Sequence, residues 1–308
     1  GFLFCFGGSR TFHRMACNIE DAGWIIRDTI MWIQGQGMPK GHNIAKSIDA
    51  KLLCGGSNSR KLREVEQTYG GETYELKGRN NGIIGEKRTY QRKAFETQTP
   101  EAQQWEGYST ALKPAFEPII IAMKATDETF ANNALQHGCS GMNIDAARLG
   151  EGTGKVLTRK YPDIRGGNFG QNSESYEKRA PVVRKVVDKG RWPPNVLMDE
   201  EAAQVLDEQV ANASRFYYIP KAGAKEKIEG RHPTMKPLAL MEQLVKLLSM
   251  PSQTHLLDPY MGSGTTLLAA QNLKIRCDGI ERDREFFELT KRRLGVDDQV
   301  PLFPSLVV

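Results

Sequence analysis

His255-Leu256-Leu257-Asp258-Pro259-Tyr260-Met261-Gly262-Ser263-Gly264-Thr265-Thr266 is an apolar strand with an acidic end, followed by a Gly-x-Gly turn and the start of a helix. Glycine has no Cβ, so such a turn lets backbone N–H groups come close to a ligand. A phosphate-cradling loop of the Gly-x-x-x-x-Gly-Lys-Ser/Thr type is excluded, because Thr265 stands where the lysine is needed. The dinucleotide fingerprint G-x-G-x-x-G is also incomplete, since Leu267 replaces its third glycine. The next apolar run, Ile275 to Ile280, ends at Glu281, about 20 residues downstream, where a carboxylate can accept hydrogen bonds from both hydroxyls of a ribose. This pattern favours a nucleoside cofactor without a pyrophosphate. The structural alternative is an ordinary glycine turn beside a surface glutamate.

Outward from this unit the pattern stays regular. His232-Pro233-Thr234-Met235-Lys236-Pro237 opens a helix, Pro237 to Leu248, with Leu238, Met241, Leu244, Val245 and Leu248 on one face. Thr234 and Lys236 stand near its positive end, where a carboxylate is favoured. Strand His255–Leu257, helix Thr265–Gln271, strand Ile275–Ile280 and helix Arg284–Leu294 then form the βαβ opening of a doubly wound α/β sheet. In the N-terminal half, Phe2–Phe6 reads as a buried strand, Arg10–Ala22 as a helix, and Ile25–Ile33 and Glu117–Lys124 as strands that pair antiparallel at one edge. Residues 34–111 read as largely loop, with a helix near Ile44–Leu53. Residues 125–230 are irregular apart from helix Glu200–Gln209 and a short strand Arg215–Ile219.

A chain of 308 residues with 39% hydrophobic content can bury a sizeable core, which excludes a disordered tail. The five cysteines form no C-x-x-C pair, which argues against a zinc site or a disulfide framework and makes a reducing cytoplasm the expected compartment. The five histidines are too dispersed for a metal site, and His255 reads as a structural residue within its strand. No apolar run reaches the roughly 18–20 residues that span a bilayer, so no membrane partner is expected. The net charge of +5 is uneven, with basic residues in excess over 41–115 and 151–190. There, Arg88, Arg92 and Lys93 with Tyr90, and Arg159 and Lys160 with Tyr161, interleave cations and aromatics as contacts to phosphates and bases do. Trp105 and Trp192 read as packing residues. The chain opens at Gly1 inside an apparent strand, so a preceding segment is expected.

His-Pro-Thr-x-Lys-Pro, then Asp-Pro-Tyr-x-Gly-Ser-Gly-Thr-Thr, then Gly-Ile-Glu-Arg-Asp, in that order, resembles the cofactor half of amino-methylating DNA methyltransferases. These are the adenine-N6 and cytosine-N4 enzymes in which the catalytic half precedes the cofactor half. Phe-Gly-Gly-Ser-Arg-Thr-Phe-His-Arg at 6–14, Leu112 to Pro118, Gly190 to Asn195 and Ser214 to Tyr218 are similar to phage and prophage members. The resemblance implies a Rossmann-like fold and S-adenosylmethionine as cofactor. Asp258, Tyr260, Gly262, Gly264 and Thr265 would line its site, Glu281 would hold the ribose, and Thr234 with Lys236 would hold the methionine carboxylate. Residues 1–33 and 113–124 would form the catalytic-half core, 34–112 an insertion, 125–230 the target-recognition region and 231–308 the cofactor half.

The partner implied is double-stranded DNA, bound by Arg88, Arg92, Lys93, Arg159 and Lys160, within a restriction-modification setting; a homodimer is compatible with it. Adenine N6 is favoured over cytosine N4 by resemblance alone. The family's Asp/Ser/Asn-Pro-Pro-Tyr/Trp/Phe tetrapeptide, which grips the target amine, is not found in this sequence. Trp192-Pro193-Pro194-Asn195 has the prolines in another order and place, so no catalytic residue is named. Two rival readings are a methyltransferase of RNA or protein, and a non-catalytic DNA-binding module that keeps the fold.

Overall fold

The computed structural model describes residues 1–35, 41–77, 89–161, 182–220, 235–251 and 254–296. Its elements run β1 (Phe2–Phe6), α1 (Phe12–Asp21), β2 (Trp24–Ile33), α2 (Ile44–Cys54), α3 (Ser59–Tyr69), β3 (Gly70–Lys77), β4 (Thr89–Phe95) and α4 (Pro100–Gln103). They continue with β5 (Phe116–Lys124), α5 (Phe130–His137), β6 (Val156–Tyr161), β7 (Val182–Val187), β8 (Val196–Met198) and α6 (Glu200–Gln209). The last are α7 (Leu238–Leu248), β9 (His255–Asp258), α8 (Thr265–Asn272), β10 (Arg276–Gly279) and α9 (Arg284–Leu294). The fold is mixed α/β. A four-stranded sheet has the order β1-β5-β2-β8, and β9 pairs with β10 in parallel. Two further hairpins, β3–β4 and β6–β7, stand as separate two-stranded ribbons.

The run Pro118-Ile-Ile-Ile-Ala-Met123 is apolar on both faces because β5 is covered on both. Ile119 and Ile121 join the cluster with Leu240, Leu244, Leu247 and Leu248 of α7, whereas Ile120 and Ala122 pack with Ile19 of α1. Full burial of each isoleucine contributes roughly 2 kcal/mol. β1 follows the same alternation, with Phe2, Phe4 and Phe6 toward α7 and Leu3 and Cys5 toward α1. In β2 the alternation breaks. Trp24 and Ile26 pack on the α1 side, yet Ile30 and Trp32, also even-numbered, pack on the α7 side. The cause is a register shift between Ile26 and Asp28, which inserts Arg27 as an extra residue and exchanges the faces beyond it.

The antiparallel pairing of β2 with β5 is present, and β8 adds in parallel outside β2, so that pair lies within the sheet. The expectation of a loop-rich 34–111 is corrected. Helices α2, α3 and α4 and the β3–β4 hairpin occupy much of it, with Ala45, Ala50, Val65 and Ala102 buried. At their centre the fully buried Asp49 accepts hydrogen bonds from the Gln98 and Thr99 amides and the Thr99 hydroxyl, at 2.8, 3.0 and 2.7 Å. A buried carboxylate persists only when its lone pairs are filled in this way. The chain enters and leaves this unit side by side: the His42 amide donates to Thr110 Oγ1 at 2.8 Å, and Asn43 bridges Ser109.

The strand expected at Arg215–Ile219 is also corrected. Ala213–Phe216 is a turn of 3-10 helix, and only Tyr218 bridges to Leu197. Asp207 wins this competition, because its carboxylate accepts from the Ser214 amide at 2.8 Å and the Ser214 hydroxyl at 2.7 Å.

Candidate functional site

Parallel pairing sets Asp258, the last residue of β9, opposite Gly279, the last of β10. Two further bonds lock the strand ends together: the Ile280 amide donates to Asp258 O at 2.8 Å, and the Met261 amide to Ile280 O at 3.0 Å. The glycine turn is thereby held over the carboxyl ends of two adjacent parallel strands, where ligands of open α/β sheets bind. Tyr260 stands 89% exposed at this edge, and its amide donates to Asp258 Oδ1 at 3.0 Å.

Glu281 lies two residues past β10 and braces the turn from the other strand. Its Oε2 accepts from the Gly262 amide at 2.8 Å and its Oε1 from the Asp283 amide at 2.8 Å. An ionised carboxylate offers about four acceptor positions, so two remain for hydroxyl donors. Gly264 turns the chain with φ +75°, and a Cβ there would sit 2.3 Å from Thr290 Cγ2 of α9. This glycine is thus required by packing against α9 rather than by the approach of a ligand. Thr265 is buried as well.

Helix α9 holds the turn from behind, and sequence reasoning missed this. The Thr290 hydroxyl donates to Gly262 O at 3.1 Å, and Arg293 Nη1 donates to Ser263 O and, at 3.2 Å, to Thr265 Oγ1. Cys277, inside β10, is pushed up to about 12 by burial, then by the Asp258 and Asp278 carboxylates. His255 Nε2 lies 2.6 Å from Asp278 Oδ2, the partner that a structural histidine requires.

Asp258, Tyr260, Gly262 and Glu281 are therefore brought together. Lys236 stands against the carboxyl ends of β1 and β2: it pairs with Glu117 of β5, with the Phe6 and Trp32 ring centroids 4.7 and 5.7 Å from its ammonium. Glu117, its partner, carried no signal of its own in the sequence. Thr234 lies outside the described residues. The carboxylates of Asp258 and Glu281 beside an exposed tyrosine ring suit a nucleoside, whose ribose donates and whose base can stack. They would repel a pyrophosphate.

The candidate nucleic-acid contacts fall on the two ribbons. Lys93 and Arg92 lie on β4 opposite Thr73 and Tyr74 of β3, while Arg159 and Lys160 lie on β6 opposite Arg184 and Val183 of β7. Arg88 lies outside the described residues. Lys93 also serves its own ribbon, because its ammonium donates to Gln67 O at 3.1 Å. Trp192 and Trp105, expected as packing residues, are 66% and 45% exposed.

The N6/N4 family model, described as DNA methylase, matches residues 1–292. The chain is 41% identical over 298 residues to the type II methyltransferase M.HindIII of Haemophilus influenzae, covering 96% of this chain and 63% of that one. It is 45% identical over 78 residues to the type II methyltransferase M2.MboI of Moraxella bovis, 25% of this chain and 28% of that one. It also aligns structurally with the cytosine-N4-specific PvuII DNA methyltransferase, with a TM-score of 0.41 and 13% identity, over 97% of this chain and 65% of that one. The chain thus spans less than two thirds of the length of M.HindIII, and its match to M2.MboI under a third.

Proposed function

Because the chain belongs to the N6/N4 DNA methylase family, we propose that it binds S-adenosylmethionine and serves methylation of an exocyclic base amine in duplex DNA. The favoured acceptor is adenine N6 rather than cytosine N4, and the compartment is the cytoplasm. The observation that carries this reading is the turn at Gly262, tied to Glu281 at the carboxyl ends of two parallel strands with Asp258 and Tyr260 beside it.

When bound, S-adenosylmethionine supplies an electrophilic methyl group on a sulfonium. The free acceptor positions of Glu281 would hold the ribose hydroxyls, and the Tyr260 ring would cover the adenine. Gly262, Gly264 and Thr265 keep the turn in place through α9. Lys236, with Thr234, would hold the methionine carboxylate, for which it exchanges or shares the Glu117 carboxylate. The target base would be flipped out of the duplex, because its amine is otherwise unreachable. The cations of the two ribbons would contribute phosphate contacts, which give affinity, while groove contacts choose the sequence.

Calorimetry with S-adenosylmethionine tests the site directly. The wild-type chain binds, and Glu281→Ala weakens binding by at least about tenfold, equivalent to 1.4 kcal/mol. Unchanged affinity overturns the assignment. A labelled-methyl assay offering duplex DNA, RNA and protein tests the acceptor. Label on RNA or protein, or DNA binding with no methyl transfer, would favour the rival readings.

A further inference from the structure

β6 and β7 form an arm. At its base the Leu149 and Arg191 backbones bond to each other in both directions, at 3.0 and 2.9 Å, and the Asp188 amide donates to Lys155 O at 2.9 Å. Gly190 is required there, because it has φ +88° and a Cβ would lie 2.5 Å from Gly150 O. Beyond this base, neither strand packs substantially against any other helix or strand among the described residues. The first cross-strand pair, Val156 with Val187, is 62% and 47% exposed.

The charge on the two strands is of one sign. Backbone register sets Arg159 opposite Arg184, Lys185 opposite Thr158 and Lys160 opposite Val183. No acidic residue occurs in 155–161 or 182–187. Like charges placed directly opposite each other are destabilising, and an isolated two-stranded hairpin is marginal in water. Within the described strands themselves no carboxylate offsets this. The β3–β4 ribbon differs: its cations face Thr73 and Tyr74, Glu72 and Glu75 share its strands, and Lys93 is tied to Gln67. Unbalanced repulsion is relieved by a polyanion, and the DNA major groove, about 12 Å wide, admits a two-stranded ribbon.

We propose that the β6–β7 ribbon is the arm with which this chain grips duplex DNA, lying along a groove with Arg159, Lys160, Arg184 and Lys185 meeting the phosphates. The proposal rests on the DNA reading given above. It adds Arg184 and Lys185 to the phosphate-binding cations and ranks this ribbon over β3–β4.

The test is fluorescence anisotropy of a labelled duplex of two to three helical turns, titrated with the full chain over a salt series. The proteins compared are wild type, Arg184→Glu/Lys185→Glu, the milder Arg184→Gln, and Arg92→Glu/Lys93→Glu on the other ribbon. For each phosphate that the arm no longer neutralises, affinity falls on the order of tenfold at 0.1 M salt, and the slope of log K against log salt becomes shallower by about 0.9. The β3–β4 variant falls by less than the arm variant. Titration with S-adenosylmethionine, expected unchanged in the arm variants, reports that the sheet is folded. Wild type that binds DNA alongside arm variants of equal affinity and slope overturns the arm alone. Wild type that binds S-adenosylmethionine but no duplex at any salt overturns the DNA reading and the arm with it.

Discussion

Lys236, just ahead of α7, and Glu117, near the start of β5, form an ion pair across 119 positions of sequence. Each side chain keeps only 23% of its surface exposed. The bond ties the helix that covers the sheet to the strand at its centre, and the Phe6 and Trp32 rings enclose the same ammonium. Glu117→Gln keeps the shape and removes the charge. A partly buried charge-assisted hydrogen bond of this kind is worth about 1.5–3 kcal/mol, so a loss in that range is expected in urea denaturation. An unchanged midpoint would mean that the two rings alone hold the lysine.

Gly264 and Thr290 form a steric pair. Gly264→Ala is expected to cost about 2–4 kcal/mol, combining a left-handed backbone with a Cβ driven into Thr290. In a Thr290→Ala background the contacts at 2.3 and 2.7 Å disappear, while the tight contact with the residue 290 Cβ at 3.0 Å and the backbone part remain, so the same substitution costs less. Equal costs in the two backgrounds, read by urea denaturation, would refute the packing explanation.

Arg293 is expected to act through the glycine turn as a positioning residue. Arg293→Met removes its bonds to Ser263 O and Thr265 Oγ1, which weakens S-adenosylmethionine binding by about tenfold, or 1.4 kcal/mol. Arg293→Lys restores part of the affinity because one donor can still reach. If affinity follows global stability alone, with no rescue by lysine, the turn does not depend on this contact.

Cys277 gives a test in pH. Burial and the two neighbouring carboxylates push its thiol up to about 12, against an ordinary value of 9.0. Below pH 9 folded and unfolded chains both hold the proton, and the stabilisation from this group is fully present. As pH rises from about 9 to about 12 the unfolded chain ionises first, and that stabilisation is lost. Cys277→Ala is therefore expected to flatten the decline of stability across this window. Iodoacetamide at pH 8 should label the exposed Cys17 and spare Cys277 in the folded protein. Rapid labelling of Cys277 would contradict its environment.

What could be read in advance follows the range of the interactions. Helices α6 and α9 have the bounds their sequence implies, because each announces itself locally with a capping aspartate, Asp199 or Asp283. The strand-turn-acid order of the site was legible for the same reason, since about 20 residues contain it. The bulge at Arg27 was not legible, because the polar triplet Arg27-Asp28-Thr29 between apolar residues does not mark where the two faces exchange. Neither ribbon was legible, because neighbouring like residues, such as Arg92-Lys93 in β4, Arg159-Lys160 in β6 and Val182-Val183 in β7, break the period of two. Thr290, Arg293 and Glu117 reach their partners across 28, 30 and 119 positions, and no spacing rule spans that distance.

The unit closed by His42 and Thr110 leaves the sheet and returns to it at one point, and its interior is sealed by its own Asp49 clasp. Lengthening such an excursion costs little, since closure entropy grows only with the logarithm of loop length. Insertions or deletions confined to this unit are therefore expected to leave the packing of β1, β5, β2 and β8 undisturbed.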